Sequence, residues 1–235
     1  MGGLRFSKDS NHDKVRAMSE ASTLQASIKP AELAAYLAAR MCHDFISPAS
    51  AIVSGLDLLE DPTAQDMRGD AMDLIGASAR KLSDLLLFTR VAFGASASAE
   101  NFDARELEKL AQGIFAHMRA DLDWQVETPS VNKPAARALL NLSQIAGAAL
   151  PTGGTARVRA IQEGDKIAIS IEATGPRARL RPEVLGGLRG EGPGDGLHGH
   201  WVQARYVHLF VTDAGGQLVA EVAEDKVTLA ATIPA

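Results

Sequence analysis

The chain has 235 residues, and its 46% hydrophobic and 23% charged content is typical of a globular protein with one large domain or two smaller ones. The formal net charge of −5 argues against nucleic acid as the main ligand. No apolar run reaches the roughly 18 residues of a membrane-spanning helix, and no secretory signal is recognisable, so we expect no membrane partner. Cys42 is the only cysteine, which excludes an internal disulfide and favours the reducing cytoplasm.

Residues 1–29 are interpreted as a flexible leader or a tag. A helix is predicted from Pro30, because proline suits the first helical position and Glu32 places an acid in the first turn. Apolar residues keep helical spacing up to about Glu60. Pro48 lies inside this pattern and removes one backbone hydrogen bond, so we predict a kink in one long helix; the alternative is two shorter helices.

A second helix is predicted after the turn at Asp61-Pro62 and ends near Gly94, so that residues 30–94 form a helical hairpin. The unbroken apolar run from Leu85 to Phe88 makes this helix apolar on more than one side. A second copy of the hairpin would cover the surplus apolar surface, which predicts a homodimer with a four-helix bundle. The alternative is that the second half of the chain covers it. Residues 95–102 are interpreted as a linker.

The pattern changes in residues 103–235, where short alternating runs indicate strands between amphipathic helices. A Gly-rich loop is predicted to end at Gly199. The expected fold is an α/β sandwich with antiparallel strands on one side and helices on the other, and the fold class of the whole chain is α+β. Helices are predicted over 104–120, 133–150 and 200–211, and strands over 124–126, 156–161, 166–171, 217–222 and 226–233.

His43 lies on the polar side of the first predicted helix, about 200° around the axis from the apolar residues Met41 and Phe45 at roughly 100° per residue. The imidazole is therefore expected to point away from a rigid helix into solvent. An exposed and positioned imidazole is a candidate nucleophile. The same strip of the helix also carries Tyr36, Arg40, Ser47, Ser50 and Ser54.

The surface around this imidazole is predicted to bind a partner protein. If the hairpin is antiparallel, residues 81–85 of the second helix reach the level of His43, and Lys81, Asp84 and Phe88 are its expected neighbours. The small side chains of Ser50 and Ser54 leave room for a partner helix close to the imidazole.

The run from His43 to Pro48, His-Asp-Phe-Ile-Ser-Pro, resembles the H-box of the histidine-kinase superfamily. The predicted helix around Asn141 resembles the family's N-box, and Gly215-Gly216 resembles the turn before a late strand. The resemblance covers about residues 30–235. It implies a dimerisation and histidine-phosphotransfer hairpin followed by an ATPase-like domain.

The predicted ATPase-like domain departs from the family pattern at its nucleotide site. The position of the second N-box Asn, which holds magnesium in the family, corresponds to Ile145, and the adenine-reading Asp corresponds to Ala173. The second Gly of that motif is replaced by Arg177, and the Gly-rich lid is reduced to residues 192–196. Magnesium requires oxygen ligands, which Ile lacks. The resemblance therefore points to a degenerate nucleotide domain.

A hairpin with an H-box and a degenerate nucleotide domain is similar to a histidine phosphotransferase, which relays phosphoryl groups between aspartates of receiver domains. The resemblance implies that His43 is the phosphoacceptor and that Asp44 orients the ring or accepts a proton. Arg40, one turn earlier, suits the charge of the phosphoryl group, and Ser47, one turn later, is placed to donate a hydrogen bond.

The same resemblance implies the partners. The donor is the receiver domain of a hybrid histidine kinase of the CckA type, and the acceptors are response regulators of the CtrA and CpdR types, which places the chain in cell-cycle regulation. Magnesium is supplied by the receiver, so we expect no cofactor or metal of the chain's own. Two alternatives stay open: an active histidine kinase with an unusual ATP site, and a non-catalytic dimeric scaffold.

Overall fold

The computed structural model describes residues 28–94, 100–193 and 198–235, and the side chain of His198 is not described. Nearly all of the predicted leader lies outside the described residues, as does most of the predicted linker. No helix in these described ranges has the length and apolar character needed to cross a membrane. The helices are α1 (Pro30–Glu60), α2 (Arg68–Ala92), α3 (Ala104–Phe115), α4 (Lys133–Ala148), α5 (Pro182–Leu188) and α6 (His198–Asp213). The strands are β1 (Asn101–Asp103), β2 (Ala120–Val126), β3 (Ser130–Asn132), β4 (Gly154–Glu163), β5 (Lys166–Thr174), β6 (Gln217–Ala223) and β7 (Lys226–Pro234).

The helices α1 and α2 form the predicted hairpin. α1 runs without a break through Pro48, which excludes the alternative of two separate helices. It ends at Glu60 and is capped by Asp61, whose N–H donates to the Asp57 carbonyl at 3.1 Å. The Asp61 carboxylate accepts two hydrogen bonds of 2.7 Å from the amide and the hydroxyl of Thr63. These bonds fix the turn that reverses the chain into α2.

Small residues form the contact between α1 and α2. Gly55 is buried, and a Cβ atom there would lie 2.6 Å from Ile75 Cγ1 and 3.1 Å from the Ala71 carbonyl oxygen. The helices therefore approach more closely than a larger residue would allow. Large apolar side chains of the same two helices point away from this contact and are exposed in the single chain, among them Ile46, Val53, Leu56, Met72, Leu74, Leu86 and Leu87.

The second half contains a five-stranded sheet in the order β2-β4-β5-β7-β6, and β1 pairs with β3 in a separate antiparallel ribbon. The expectation that all strands run antiparallel is wrong for one pair, because β2 and β4 are parallel. Parallel neighbours need a crossover, and α4 lies in the connection between these two strands. Along β4, β5 and β7 buried and less buried residues alternate, so one face of the sheet packs against the helices.

The apolar core continues from the sheet into the end of the hairpin. Phe88, Val91 and Ala92 of α2 belong to the same buried cluster as residues of α4 and the sheet. The Asn141 amide of α4 donates to the Ala92 carbonyl at 3.0 Å, and the Phe93 ring lies 5.5 Å from the Tyr206 ring of α6. The hairpin is thus held against the second half by both apolar and polar contacts.

Three further boundaries differ from the sequence prediction. α3 ends at Phe115, because Ala120 already pairs with Gly154 at the start of β2. β1 begins inside the predicted linker, where three residues form a ribbon with β3. α5 lies inside the predicted Gly-rich loop: a Cβ at Gly187 would come within 2.8 Å of Ala204, so this glycine serves the close packing of α5 on α6.

Candidate active site

His43 projects from the middle of α1, and its side chain is 84% exposed. This position agrees with the helical periodicity, because the preceding Met41 and the following Phe45 are less exposed than the imidazole. The ring nitrogen Nδ1 lies 3.2 Å from Asp44 Oδ1. The second ring nitrogen, Nε2, has no hydrogen-bond partner among the described residues.

Arg40 and Asp44 form an ion pair one turn apart on α1. Arg40 Nε donates to Asp44 Oδ2 at 2.8 Å, so the two carboxylate oxygens contact different partners. Arg40 Nη1 donates to the Gly199 carbonyl at 2.7 Å and lies 3.5 Å from His200 Nδ1. The Arg40 side chain is only 19% exposed, since the first turn of α6 covers it.

A groove of about 290 Å³ lies beside His43, between the hairpin and the second half. Ser47 and Lys81 line it, as predicted for neighbours of the imidazole. His117, which follows α3, also lines it and contacts Asp84, with 2.8 Å between Nε2 and Oδ2. No sequence signal singled out His117, because its contact with Asp84 joins residues far apart in the chain.

The other predicted partner-binding residues separate into two groups. Ser50 and Ser54 are exposed on α1, as expected. Phe88 does not belong to the exposed surface, and its assignment there is wrong. Its side chain is 1% exposed, because the second half packs against this end of α2.

A second groove, about 310 Å³ in volume, opens on the other side of His43 between Tyr36 and the first turn of α6. His200 lies at this side and is partly buried. Burial lowers the pKa of its imidazole, and the guanidinium groups of Arg40 and Arg181 lower it further. His200 therefore favours the neutral form and can accept a hydrogen bond from Arg40.

Ile145 and Ala173, the two positions compared with the nucleotide site of the resembled family, are buried and apolar. Ile145 lines a cavity of about 150 Å³ together with Arg179 and His200, and Ala173 is fully buried in β5. Asn141 is also fully buried. Its amide donates to two backbone carbonyls at 3.0 Å, and its Oδ1 atom accepts from Gln203 Nε2 at 3.2 Å.

Within the described ranges, no group of three or more His, Cys, Asp or Glu side chains is arranged to hold a metal ion. Cys42 is exposed and unpaired. The groove brings together the imidazole, the carboxylate beside it and the cationic side chains of Arg40 and Lys81. An accessible imidazole beside a groove with cationic walls is suited to attack a phosphorylated protein, which is the chemistry of a histidine-dependent phosphotransferase.

Comparison with known proteins supports this class. A family model described as the histidine phosphotransferase C-terminal domain matches residues 104–226. The protein phosphotransferase ChpT of Brucella abortus (strain 2308) is 34% identical over 207 residues, which span 87% of this chain and 98% of that protein. The solved structure of a bacterial phosphotransferase superposes with a TM-score of 0.79 at 31% identity, covering 88% of this chain and 99% of the other.

The chain belongs to the histidine phosphotransferase family. Its activity is phosphotransfer within a phosphorelay. The resemblance predicted from the H-box and the N-box helix is thereby confirmed, as is the α+β fold class.

Proposed function

We propose that His43 carries the phosphoryl group. It takes the group from a phospho-aspartate on the receiver domain of a hybrid histidine kinase and passes it to aspartates of response regulators. The observation that carries this proposal is the 84% exposed imidazole, with Nδ1 beside Asp44 and Nε2 without a hydrogen-bond partner among the described residues. A receiver holds its aspartate in a pocket, so its partner nucleophile must project well beyond the surrounding surface.

The groove supports this assignment electrostatically. Lys81 and Arg40 place cationic groups in its walls, and these offset the negative charge of the incoming phosphoryl group. Ser47 lies one turn beyond His43 and brings a hydroxyl to the same groove. Magnesium stays with the acidic pocket of the receiver, so the chain supplies the nucleophile and the receiver supplies the metal.

We also propose that the chain does not use ATP. Ile145 and Ala173 are apolar and buried at the two positions where the resembled family keeps a magnesium ligand and an adenine acceptor. A nucleotide site depends on a few placed polar groups, and neither residue supplies one. The chain would therefore receive phosphoryl groups only from other proteins.

A homodimer is part of the proposal. Ile46, Val53 and Leu86 are 63%, 56% and 49% exposed on the hairpin, on the side away from the contact between α1 and α2. Burying a Leu, Ile or Val side chain contributes about 1.5–3 kcal/mol. A second hairpin packed on this surface would cover these side chains and complete a four-helix bundle. Each bundle would then present two His43 side chains in the cytoplasm.

Transfer from a phosphorylated receiver tests the central proposal. The purified chain is mixed with receiver domains that carry a radioactive phosphoryl group, and acid-labile label on the chain is measured. We expect label on the wild type and on Cys42→Ala, the neighbouring exposed control, and none on His43→Ala. The free energy of unfolding of His43→Ala should stay within about 0.5 kcal/mol of the wild type, as for most surface substitutions.

Three outcomes of the same experiment separate the alternatives. Undiminished label on His43→Ala would contradict the assignment of His43. Label acquired from ATP alone would favour an active kinase. A wild-type chain that takes no label from any receiver would favour a non-catalytic scaffold.

A further inference from the structure

An unbroken series of polar contacts joins the first turn of α6 to the imidazole of His43. The Gly199 carbonyl accepts from Arg40 Nη1 at 2.7 Å, and Arg40 Nε donates to Asp44 Oδ2 at 2.8 Å. The other carboxylate oxygen, Oδ1, lies 3.2 Å from His43 Nδ1. The series thus runs from the second half of the chain, through α1, to the reactive side chain.

The ion pair determines which ring nitrogen of His43 carries the proton. An ionised carboxylate only accepts hydrogen bonds, so Nδ1 must donate to Asp44 when the imidazole is neutral. The neutral ring then has its lone pair on Nε2, the nitrogen that has no hydrogen-bond partner among the described residues. Since the Arg40 guanidinium is planar and donates in two fixed directions, it also fixes the rotamer of Asp44.

We propose that Arg40 is a positioning residue, through which the docked second half sets the tautomer and orientation of the His43 imidazole. The inference deepens the proposed function, since it rests on His43 being the phosphoacceptor. Arg40 is engaged by Asp44 and by Gly199 before any phosphoryl group arrives. Its main effect therefore passes through Asp44, in addition to any charge it presents to the groove.

The transfer step explains why this tautomer matters. Nε2 attacks the phosphorus atom of the phospho-aspartate, a P–N bond forms, and the P–O bond to the receiver aspartate breaks. The receiver carboxylate leaves with the electron pair. Nδ1 keeps its proton, so the phosphorylated ring carries a positive charge, which Asp44 stabilises from the opposite side. No base is needed, and the reverse step to the next receiver uses the same groups.

An aromatic pair holds α6 in the position from which Gly199 reaches Arg40. The ring of Tyr36 on α1 meets Trp201 of α6 edge to face, with ring centroids 6.4 Å apart. Trp201 is buried, and its Nε1 atom donates to the Glu191 carbonyl at 3.0 Å, so its ring orientation is fixed. Aromatic pairs of this geometry contribute about 0.5–1.5 kcal/mol beyond burial. Tyr36 lines the second groove but not the groove that Ser47 and Lys81 line, so a change at Tyr36 should reach His43 without altering the latter.

Nitrogen chemical shifts of the imidazoles, measured by NMR at alkaline pH, where an ordinary imidazole is neutral, test the proposal directly. His43→Gln assigns the signals. We expect the wild type to show a protonated Nδ1 and an unprotonated Nε2. Arg40→Gln should mix the two tautomers and lower the maximal transfer rate about tenfold, which is about 1.4 kcal/mol. The receiver concentration at half-saturation should not change, whereas a docking role for Arg40 would raise it.

Two further variants keep the test decisive. Arg40→Lys keeps the charge but cannot donate to Asp44 and Gly199 in two fixed directions. Its His43 tautomers and its maximal transfer rate should therefore resemble those of Arg40→Gln. Tyr36→Leu removes the aromatic contact and should shift the tautomers in the same direction, while the matched variant Tyr36→Phe keeps the wild-type spectrum.

The failure of this inference is distinguishable from failure of the proposed function. Wild-type tautomers in both Arg40→Gln and Tyr36→Leu, with label still on His43, would overturn the positioning role alone. If Arg40→Lys showed wild-type tautomers, a positive charge at this position would be sufficient, and the positioning role would again be overturned. Absence of label on His43 in the wild type would overturn the proposed function itself.

Discussion

At the scale of single residues, two imidazoles lie on either side of Arg40 in opposite environments. His43 is exposed beside a carboxylate, whereas His200 is partly buried between guanidinium groups. Burial, Arg40 and then Arg181 lower the pKa of His200, while the acids Glu183 and Asp44 act weakly in the other direction. Protonation of His200 therefore places a cation against Arg40 at the contact between α1 and α6.

This environment predicts the sign of a pH effect on stability. The unfolded chain binds a proton at His200 near the ordinary value of about 6.5, and the folded chain binds it only at lower pH. Stability should thus be complete above that value, fall as the pH decreases through the interval between the two pKa values, and level off below it. Urea unfolding at pH values on either side of the interval should show a larger loss for the wild type than for His200→Gln. Equal losses in both proteins would contradict the prediction.

The two histidines of the groove differ in how far the sequence predicts them. His43 was predicted from helical periodicity and the H-box, because its neighbours within two turns define its exposure. His117 reaches the groove only because α3 packs beside α2, where its ring meets Asp84. A contact between residues 33 positions apart depends on tertiary packing, and no local pattern of residues encodes it.

At the scale of elements, the hairpin depends on how closely its two helices approach. Gly55 has no space for a side chain against Ile75, whereas Gly76 on α2 faces only the flexible end of Arg80 at 3.5 Å. The two glycines lie in long helices, where Ala is favoured over Gly by about 1 kcal/mol. We therefore expect alanine at position 55 to destabilise the fold and alanine at position 76 to stabilise it.

Gly55→Ala should lower the free energy of unfolding, because the added Cβ would lie 2.6 Å from Ile75 Cγ1. Overpacking of this kind costs about 1–3 kcal/mol, more than the gain in helix propensity. Gly76→Ala should instead raise it by up to about 1 kcal/mol. Denaturant unfolding of both variants at one protein concentration measures the difference. A stabilised Gly55→Ala variant would show that the helices separate easily.

The exposed strip of α1 below His43 gives a prediction about docking. Ser50→Arg and Ser54→Arg should slow transfer from a phosphorylated receiver at least tenfold, about 1.4 kcal/mol, because a long side chain keeps the receiver helix away from His43. Ser50→Ala is the matched control: it removes the hydroxyl, keeps the small volume and should transfer at the wild-type rate. Unchanged rates in both arginine variants would move the docking surface away from α1.

The elements themselves were largely predictable, and the exceptions have physical reasons. Long periodic segments such as α1 and α4 were predicted from their apolar spacing. α5 was missed, because Gly186, Gly187 and Gly190 resemble loop residues until the close packing against α6 is known. Phe88 was placed on the surface because a hairpin considered alone leaves it exposed, whereas the second half buries it.

At the scale of the whole molecule, the second half covers only one end of the hairpin. It buries Phe88, Val91 and Ala92 near the end of α2, yet Leu86 and Met72 remain exposed. The second half thus accounts for the apolar surface near the linker, and the proposed partner hairpin would cover the rest.

Leu86→Lys should convert the proposed dimer into monomers or aggregates, because the dimer would bury a charge without a partner. Asp73→Lys is the control, because Asp73 is exposed about 140° around α2 from Leu86 at roughly 100° per residue, and it should leave the mass unchanged. Sedimentation at micromolar concentration measures the result. A wild-type chain that sediments as a monomer would contradict the proposed bundle.

The buried amide of Asn141 sets a condition on protein design. Anyone who wished to engineer a nucleotide site into this chain would begin by placing Asn at Ile145 and Asp at Ala173. Asn141 would still be tied to the Ala92 carbonyl and to Gln203, so it could not turn towards a phosphate. Releasing it would leave buried polar groups unsatisfied at about 1–3 kcal/mol each and would loosen the joint between hairpin and sheet. A designer would thus have to rebuild that joint first and the binding residues second.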